Sequence, residues 1–309
     1  MKIFVTGSTG FIGSSLIKKL EKDSDFEITA HTRNSGSLND EEYLKKALAG
    51  QNIIIHLAAM LNPWGEPWSK FVESNISPTE NLIKCAPVDL KQFIFISSVH
   101  VMGVKHSKKS LPLNENSPYN SSTKYAGSKV LAEEAVVRAG NLGLPYTILR
   151  PAIVYGPGDK KGMVPKITAL IKQNKMILPC SGENNVHFIY IDDLVSGILH
   201  CINNPKAIKQ IFILAGSRPI EMREFLGTIR NATGAKSIKT IPYWVSSCLA
   251  NVLKLISSDK KEPIIHPDRL DIMCGNRTFS ISKARELLDW NPAVDYKEGI
   301  SRTLSSLGE

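Results

Sequence analysis

The chain has 309 residues, of which 42% are hydrophobic and 22% are charged, and this composition excludes an intrinsically disordered or fibrous protein. Its net charge of +9 comes from lysines spread along the whole chain, which predicts a solvated basic surface or a phosphorylated ligand and no nucleic-acid-binding arm. The five cysteines are scattered and form no CxxC pair, so we expect neither a disulfide framework nor a metal site, and we expect a cytoplasmic protein.

Short β-rich runs alternate with helical patterns in the first half of the chain, from KIFVTG at residues 2–7 to YTILRP at residues 146–151. This alternation predicts βαβ units and therefore an α/β fold, a Rossmann-like doubly wound parallel sheet with helices on both faces. After Pro157 the pattern becomes irregular and rich in loops. We predict a core at residues 1–157 and, at residues 158–309, mostly a smaller α+β substrate-binding cap that is interleaved with the last strands of the core.

Three glycines follow the first strand in the sequence FVTGSTGFIGSSL and directly precede an amphipathic helix. Gly7 allows a tight turn, Gly10 lets the backbone approach a pyrophosphate, and Gly13 permits close packing of the helix. The helix start, where Phe11 and Ile12 are expected as further cofactor contacts, offers its N–H groups and its positive dipole end to an anion. The strand, turn and helix together predict that the core binds a dinucleotide.

The segment after the second strand bears on the choice between NAD and NADP. NAD-binding proteins typically carry an acidic residue about twenty positions after the last glycine, where its carboxylate binds the ribose diol. Here Arg33 lies in that region, and no carboxylate occurs from Ala30 to Leu38. Arginine can pair with the additional phosphate of NADP, so NADP is favoured over NAD. The alternative is that Arg33 is an ordinary surface residue and that the protein binds NAD.

Two segments carry candidate groups for proton transfer. ISSVHVMG at residues 96–103 follows an apolar strand and so places Ser97 and Ser98 at the carboxyl edge of the sheet, where ligands bind in doubly wound folds. YAGSK puts Tyr125 and Lys129 one helical turn apart on the same face. A tyrosine with its ordinary pKa of about 10 is a poor acid or base at neutral pH unless a cation stabilises the phenolate. Lys129 can supply that cation.

The longest apolar stretch near the C-terminus, YWVSSCLANVLKLI at residues 243–256, is shorter than the roughly 20 residues that a membrane span requires. Its apolar residues recur at helical spacing, which predicts a helix packed in the protein. The alternative is a lid or a contact with a membrane surface. We expect no membrane span.

These motifs and their order resemble those of the extended short-chain dehydrogenase/reductase superfamily, in its NAD-dependent epimerase/dehydratase branch. The matching segments lie between residues 3 and 292 and are TGSTGFIG, IIIHLAA, ESNISPTENLI, FIFISSVHVMG, YAGSKVLAEE, ILRPAIVYGPGD, HFIYIDDL and SKARELLDWNP. The resemblance implies that Tyr125 gives or takes a proton. It also implies that Lys129 binds the nicotinamide ribose and lowers the pKa of that tyrosine, and that Ser98 holds the substrate oxygen, with Ser97 as the second candidate.

The resemblance also implies which residues surround the cofactor. Asn75 is expected to orient the catalytic helix or a water chain behind the lysine, unless it only caps a helix. Ser37 stands where the family often has an aspartate that contacts adenine, so adenine recognition is expected at the backbone around Leu38. Asp193 is expected to cap a helix. The other expected cofactor contacts are Leu57, Ala58 and Ala59 at a strand end, and Pro151 and Ile153 behind the nicotinamide ring.

Two positions depart from the pattern of nucleotide-sugar epimerases. Ile153 stands where they commonly have asparagine, and Val186 stands where they tend to have an arginine that binds the diphosphate. Arg269 or Arg277 can replace that charge. The expected substrate contacts are Ser98, His100, His187 and Arg269, and the alternative for each histidine is a structural polar role.

The sequence therefore predicts an NADP-preferring oxidoreductase that interconverts a secondary alcohol and a ketone, acting on a nucleotide-activated keto sugar. Three alternatives remain open: a nucleotide-sugar 4-epimerase with bound NAD, a ketone reductase like 3β-hydroxysteroid dehydrogenase or dihydroflavonol reductase, and a non-catalytic dinucleotide sensor. The expected partners are a small-molecule substrate and a second copy of the chain in a homodimer, with no nucleic acid and no metal.

Overall fold

The structure is a computed structural model and describes residues 1–61, 65–103, 111–256, 270 and 273–307. Six strands form the central sheet: β1 (Lys2–Thr6), β2 (Glu27–Ala30), β3 (Ile53–His56), β4 (Gln92–Ile96), β5 (Tyr146–Pro151) and β10 (Gln210–Leu214). Their order is β10-β5-β4-β3-β1-β2, and every neighbouring pair is parallel. This arrangement confirms the predicted Rossmann-like doubly wound fold. Strand β10 comes from the second half of the chain and completes the sheet beside β5.

The inner strands β1, β3, β4 and β5 are buried on both faces, whereas the edge strand β2 is largely exposed. In β1, Ile3 and Val5 pack into one apolar cluster, and Phe4 packs into the other. Such strands read as continuous apolar runs because helices cover both faces of a parallel sheet. The helices of the first half are α1 (Phe11–Leu20), α2 (Glu41–Leu48), α3 (Trp68–Phe71), α4 (Ser77–Lys84) and α5 (Lys124–Asn141). A five-residue π-helical segment at Val72–Ile76 joins α3 to α4, and a 3₁₀ turn at Val99–Met102 follows β4.

The second half adds short strand pairs and further helices to the core. Strand β6 (Ile153–Tyr155) pairs with β9 (Phe188–Tyr190), β7 (Ile177–Leu178) with β12 (Lys239–Thr240), and β8 (Asn185–Val186) with β11 (Ile220–Glu221). The helices are α6 (Met163–Lys172), α7 (Ile191–Cys201), α8 (Met222–Thr233), α9 (Tyr243–Ile256), α10 (Ser282–Leu288) and α11 (Tyr296–Leu307). One apolar cluster runs from β1 through these elements, so the second half shares a core with the sheet.

Helix α9 forms where the apolar stretch predicted a helix. Ser246 and Ala250 on one side are fully buried, whereas Trp244 is 70% exposed and Val252 is 55% exposed. The helix is therefore packed along one side only. In the described part of the chain, no helix combines the length and the apolar character that a membrane crossing needs.

Candidate functional site

Parallel strands direct their carboxyl ends to one edge of the sheet, and the predicted site residues follow these ends. The glycine loop follows β1, Leu57 follows β3 and Ser97 follows β4. The register places Thr6 beside His56 and His56 beside Phe95. The loops after β1, β3 and β4 are therefore neighbours at the edge where ligands bind in doubly wound folds.

The glycine loop is shaped by close backbone packing. Gly7 has a φ of +68°, and a Cβ there would lie 2.7 Å from the backbone N of Ala58. The N–H of Gly10 donates to the carbonyl of Gly7 over 3.0 Å, and Gly10 precedes α1 without a side-chain cap. The first N–H groups of α1 thus face the loop without a capping side chain from Gly10, as a bound pyrophosphate requires. Phe11 and Ile12 open the helix and are partly buried against the core. These residues fit a dinucleotide.

A buried network that the sequence did not predict holds the end of β3. The Thr6 hydroxyl lies 2.7 Å from His56 Nδ1 and accepts the N–H of Ala58 over 3.1 Å. On the other side, His56 Nε2 lies 3.1 Å from the Thr79 hydroxyl, which donates to the Asn75 carbonyl. Burial lowers the pKa of His56 to about 3. The neutral ring therefore links β1, β3 and α4, and it fixes the strand end where Leu57, Ala58 and Ala59 are partly buried.

Arg33 lies in a turn directly after β2 and is exposed. The start of this turn is held beside the glycine loop, because the Ser8 hydroxyl donates to the His31 carbonyl over 2.6 Å. Leu38 is partly buried, and its carbonyl accepts from Asn81 Nδ2 over 3.3 Å. The exposed guanidinium and the glycine loop therefore lie at the same edge of the sheet.

Asn75 connects the segment after β3 to the helix that carries Tyr125 and Lys129. Its amide exchanges two hydrogen bonds with the backbone of Met60, at 2.7 and 3.0 Å, and donates to the Ser128 hydroxyl over 2.8 Å. Asn75 caps no helix; it lies in the π-helical segment, and such segments occur frequently at functional sites. Of the two alternatives for Asn75, the structure favours the orientation of α5.

Lys129 is buried, with 2% of its surface exposed. Its Nζ donates to the Ile96 carbonyl over 2.7 Å and lies 4.5 Å from the centre of the Phe95 ring. Burial lowers the pKa of Lys129 to about 7, against a smaller opposing effect of Glu133. Burial raises the pKa of Tyr125 to about 12, and a hydrogen bond with Ser98 acts in the opposite direction. The Tyr125 ring also lies 6.1 Å from the ring of His100, which follows Ser98, while the ammonium group lies at the end of β4.

Ser98 belongs to a chain of polar side chains that ends at Arg277. Its Oγ lies 2.8 Å from His100 Nδ1, and His100 Nε2 lies 3.1 Å from Nη1 of Arg277. Burial, followed by the charge of Arg277, lowers the pKa of His100 to about 3, so the imidazole is neutral. Ser97, by contrast, is buried, and its Oγ has no hydrogen-bond partner among the described residues. The structure thus favours Ser98 over Ser97 as the hydroxyl on the side of Tyr125.

The other predicted residues lie in different surroundings. His187 is 3% exposed, stacks against Phe279 and accepts the backbone N–H of that residue at Nδ1, which favours the structural alternative. Pro151 ends β5, and Ile153 pairs with Phe188 in the next short ladder. Arg269, an expected substrate contact, lies outside the described residues.

The expectation that Asp193 caps a helix is wrong. Its carboxylate accepts the backbone N–H groups of Ala293 and Val294 over 2.8 and 3.1 Å. Asp193 lies inside the first turn of α7, where it ties a distant segment to the helix. No group of three or more His, Cys, Asp or Glu side chains suited to a metal ion occurs within the ranges that the structure describes.

Comparisons with known proteins identify the family of the chain. The profile of the NAD dependent epimerase/dehydratase family matches residues 3–215. The chain is similar to the UDP-glucose 4-epimerase of Vibrio cholerae, with 28% identity over 97% of this chain and 94% of the relative. It is also similar to a decarboxylating sterol-4-alpha-carboxylate 3-dehydrogenase of Schizosaccharomyces pombe, with 27% identity over 98% of this chain and 96% of the relative.

Among solved structures, the chain shares its fold with the UDP-glucuronic acid 4-epimerase of Bacillus cereus, solved in complex with UDP-glucuronic acid and NAD. The TM-score is 0.80 and the identity 23%, over 100% of this chain and 99% of that one. The family profile covers more than half of the chain. The chain therefore belongs to the NAD-dependent epimerase/dehydratase family and is an NAD(P)-dependent enzyme of the extended short-chain dehydrogenase/reductase type.

Proposed function

We propose that this enzyme prefers NADP and interconverts a secondary alcohol and a ketone on a nucleotide-activated keto sugar. The observation that carries the proposal is that Tyr125 and Ser98 both lie against His100 after β4, with ring centres of Tyr125 and His100 6.1 Å apart and Ser98 Oγ 2.8 Å from His100 Nδ1, while Lys129 lies one helical turn after Tyr125. A hydroxyl pair of this kind can exchange a proton with a substrate oxygen and polarise it at the same time.

In this proposal the nicotinamide supplies or accepts the hydride when it is bound. Tyr125 exchanges the proton of the substrate oxygen, and Ser98 donates a hydrogen bond to that oxygen. Lys129 raises the positive potential near the phenolate and so lowers the pKa of Tyr125 in the loaded enzyme. Asn75 keeps α5 in register with the end of β3. Replacement of Tyr125 with Phe separates this proposal from a dinucleotide sensor, because a sensor keeps its ligand response whereas an enzyme loses about 100-fold or more in turnover.

The preference for NADP rests on Arg33, which is exposed in the turn after β2. An exposed guanidinium can form paired hydrogen bonds with a phosphate monoester, whereas a carboxylate would repel it. We expect tighter binding of NADPH than of NADH, measured by fluorescence titration. In the Arg33→Ala variant, the affinity for NADPH should fall about tenfold or more while that for NADH stays unchanged. Tighter binding of NADH by the wild type would contradict the assignment.

The nucleotide-sugar substrate is supported by the UDP-sugar epimerase among the relatives and by the cation of Arg277 close to Ser98 and His100. The test is a panel of UDP- and TDP-linked keto sugars and apolar ketones, followed by NADPH oxidation at 340 nm. Turnover of a keto-sugar nucleotide is the expected result. A 4-epimerase would instead convert the sugar without net consumption of the cofactor and would retain NAD through purification.

A second candidate substrate is an apolar ketone such as a sterol-like molecule. Two observations favour it: the fully buried Val186 replaces an expected arginine, and the apolar Ile153 replaces an expected asparagine. One relative is named as a 3-dehydrogenase of a sterol carboxylate, which also has a sterol skeleton. In the same panel, NADPH oxidation with apolar ketones alone would select this candidate.

We also propose a cytoplasmic homodimer. The five cysteines without a CxxC pair favour a reducing compartment, and the neighbouring helices α3 and α5 expose the apolar side chains of Trp68 (39%) and Leu131 (41%). Light scattering on the purified protein should give twice the mass of the chain, and a Leu131→Glu variant should give the mass of a monomer.

A further inference from the structure

Three side chains from two distant parts of the chain form a continuous path to the candidate reaction centre. Ser98 and His100 follow β4, whereas Arg277 lies 177 positions from His100 in sequence. The backbone holds Arg277 in place, because its N–H donates to Asn185 over 2.7 Å and its carbonyl accepts from His187 over 3.0 Å. A segment from the second half of the chain therefore delivers a cation to the strand end that carries Ser98.

The guanidinium group of Arg277, at one end of this path, determines which groups along it donate and which accept. A guanidinium group has only donors, so Nη1 of Arg277 must donate to His100 Nε2. The neutral ring then carries its proton on Nδ1, and Nδ1–H donates to the Ser98 oxygen over 2.8 Å. The backbone N–H of His100 donates to the same oxygen over 3.2 Å. Both lone pairs of Ser98 Oγ are thus occupied.

We infer that Arg277, acting through His100, fixes Ser98 as a hydrogen-bond donor, to Tyr125 when the site is empty and to the substrate oxygen when substrate is bound. A serine hydroxyl has one proton and two lone pairs, and with both lone pairs occupied it can only donate toward the site. A donor at this position stabilises negative charge on the tyrosine oxygen or on a substrate alkoxide, and such oriented donors need no rearrangement during the reaction. Arg277 and His100 are therefore positioning residues, and the inference rests on the proposed roles of Ser98 and Tyr125.

The tautomer of His100 gives a test that requires neither substrate nor cofactor. Nitrogen-15 spectra of histidine-labelled protein distinguish a protonated from an unprotonated ring nitrogen, and the His100→Gln variant identifies the signals of His100. We expect a protonated Nδ1 and an unprotonated Nε2 in the wild type. Arg277→Met should transfer the proton to Nε2, whereas Arg277→Lys, which retains a donor, should leave it on Nδ1. A wild-type ring protonated at Nε2 overturns the inference.

Two replacements of His100 provide a matched pair for activity. Asparagine places an N–H where Nδ1 lies and does not reach Arg277, whereas glutamine reaches toward Arg277 and loses the Nδ1 donor. With a ketone that the substrate panel identifies, His100→Asn should retain about tenfold more kcat than His100→Gln. His100→Gln should lose about 10- to 100-fold in kcat with little change in KM, as one lost hydrogen bond to a developing charge predicts.

Equal losses in the two His100 variants, or a loss confined to KM, would overturn the inference. If His100 were merely structural, the loss would not depend on whether the new side chain places its N–H at the position of Nδ1 or of Nε2. Nucleotide affinity, measured for each variant, verifies that the fold is retained. If no ketone of the panel is reduced, the proposed substrate class fails, and the tautomer experiment still decides the inference on its own.

Discussion

Replacement of Lys129 with Met is expected to stabilise the protein and to abolish its turnover. Lys129 is 2% exposed, and burial lowers its pKa from 10.5 to about 7. A tenfold change in the ionisation equilibrium corresponds to about 1.4 kcal/mol, so the buried ammonium group costs the folded state about 5 kcal/mol below pH 7. Methionine has a similar length and carries no charge, so the variant removes this cost.

The net gain is smaller than that cost, because the variant also removes the donor to the Ile96 carbonyl. A lost hydrogen bond of this kind costs about 1 to 3 kcal/mol. The remaining stabilisation is about 2 to 4 kcal/mol. At about 2.1 cal/mol/K of unfolding entropy per residue, a chain of 309 residues has about 0.65 kcal/mol/K, so Tm should rise by about 3 to 6 °C.

The pH dependence follows from the same pKa. Below about pH 7 the ammonium group is charged in both the folded and the unfolded chain, so the full cost is present. Between pH 7 and 10.5 the folded chain loses the proton while the unfolded chain retains it, and the stability of the wild type rises with pH. The advantage of the Met variant should therefore shrink as the pH increases through this range.

Calorimetric melts of both proteins at pH values of about 6.5, 8 and 9.5 test this reasoning. Lys124→Met is the matched control, since Lys124 is an exposed lysine at the start of the same helix, and its Tm should change little. A Met variant of Lys129 that melts below the wild type at pH 6.5, or a Tm difference that is independent of pH, would refute the assignment of a costly buried charge.

Three further predictions concern the glycine loop, the buried ion pair and the thiols. Gly7→Ala should lose at least about tenfold in NADPH affinity, because its Cβ would lie 2.7 Å from the backbone N of Ala58. Gly50→Ala is the control, since Gly50 has a similar φ of +69° but no atom lies within 4 Å of the added Cβ. Glu133→Ala should lower the free energy of unfolding by about 3 to 5 kcal/mol in urea titrations because it leaves the buried Arg150 unpaired, whereas Glu73→Ala in an exposed pair should cost less than about 1 kcal/mol. At about pH 7.5 iodoacetamide should alkylate Cys180 before Cys201, as measured by mass spectrometry of tryptic peptides. The hydrogen bond with Cys274 lowers the pKa of Cys180 to about 7, whereas burial raises the pKa of Cys201 to about 12. The reverse order of alkylation would contradict both pKa shifts.

The parts of the site that the sequence predicts are those that depend on local spacing. An i, i+4 relation places Tyr125 and Lys129 on one helix face, and a strand end places Ser98 at the sheet edge, whatever the rest of the chain does. The glycine loop is equally local, because the strand, the turn and the helix are consecutive. The fold follows from the same alternation of β-rich and helical segments, since a parallel sheet requires a crossover between successive strands.

The parts that the sequence does not predict are contacts between distant side chains. From the sequence, Arg277 is only one of two arginines that can bind a diphosphate, and its contact with His100 depends on how the second half packs onto β4. Asn75 likewise could cap a helix or orient one, and only its contact with Ser128, 53 positions away, favours the second role. The position of Asp193 near a helix start predicts a cap, but its two carboxylate oxygens accept hydrogen bonds from the backbone N–H groups of residues 293–294.

The composition of α5 explains how the fold tolerates a buried ammonium group. One turn after Lys129, Glu133 forms a buried pair with Arg150 at 2.7 Å, and Ser128 bonds to Asn75. The carboxylate of Glu133 also raises the pKa of Lys129 against the larger effect of burial. Without this carboxylate, the buried ammonium group would destabilise the folded state still more. The effects of Lys129→Met and Glu133→Ala on the free energy of unfolding should therefore not be additive, and Lys129→Met should stabilise the Glu133→Ala variant more than it stabilises the wild type. The helix thus carries its functional charge next to the ion pair that anchors it, and the two are linked through their electrostatic interaction.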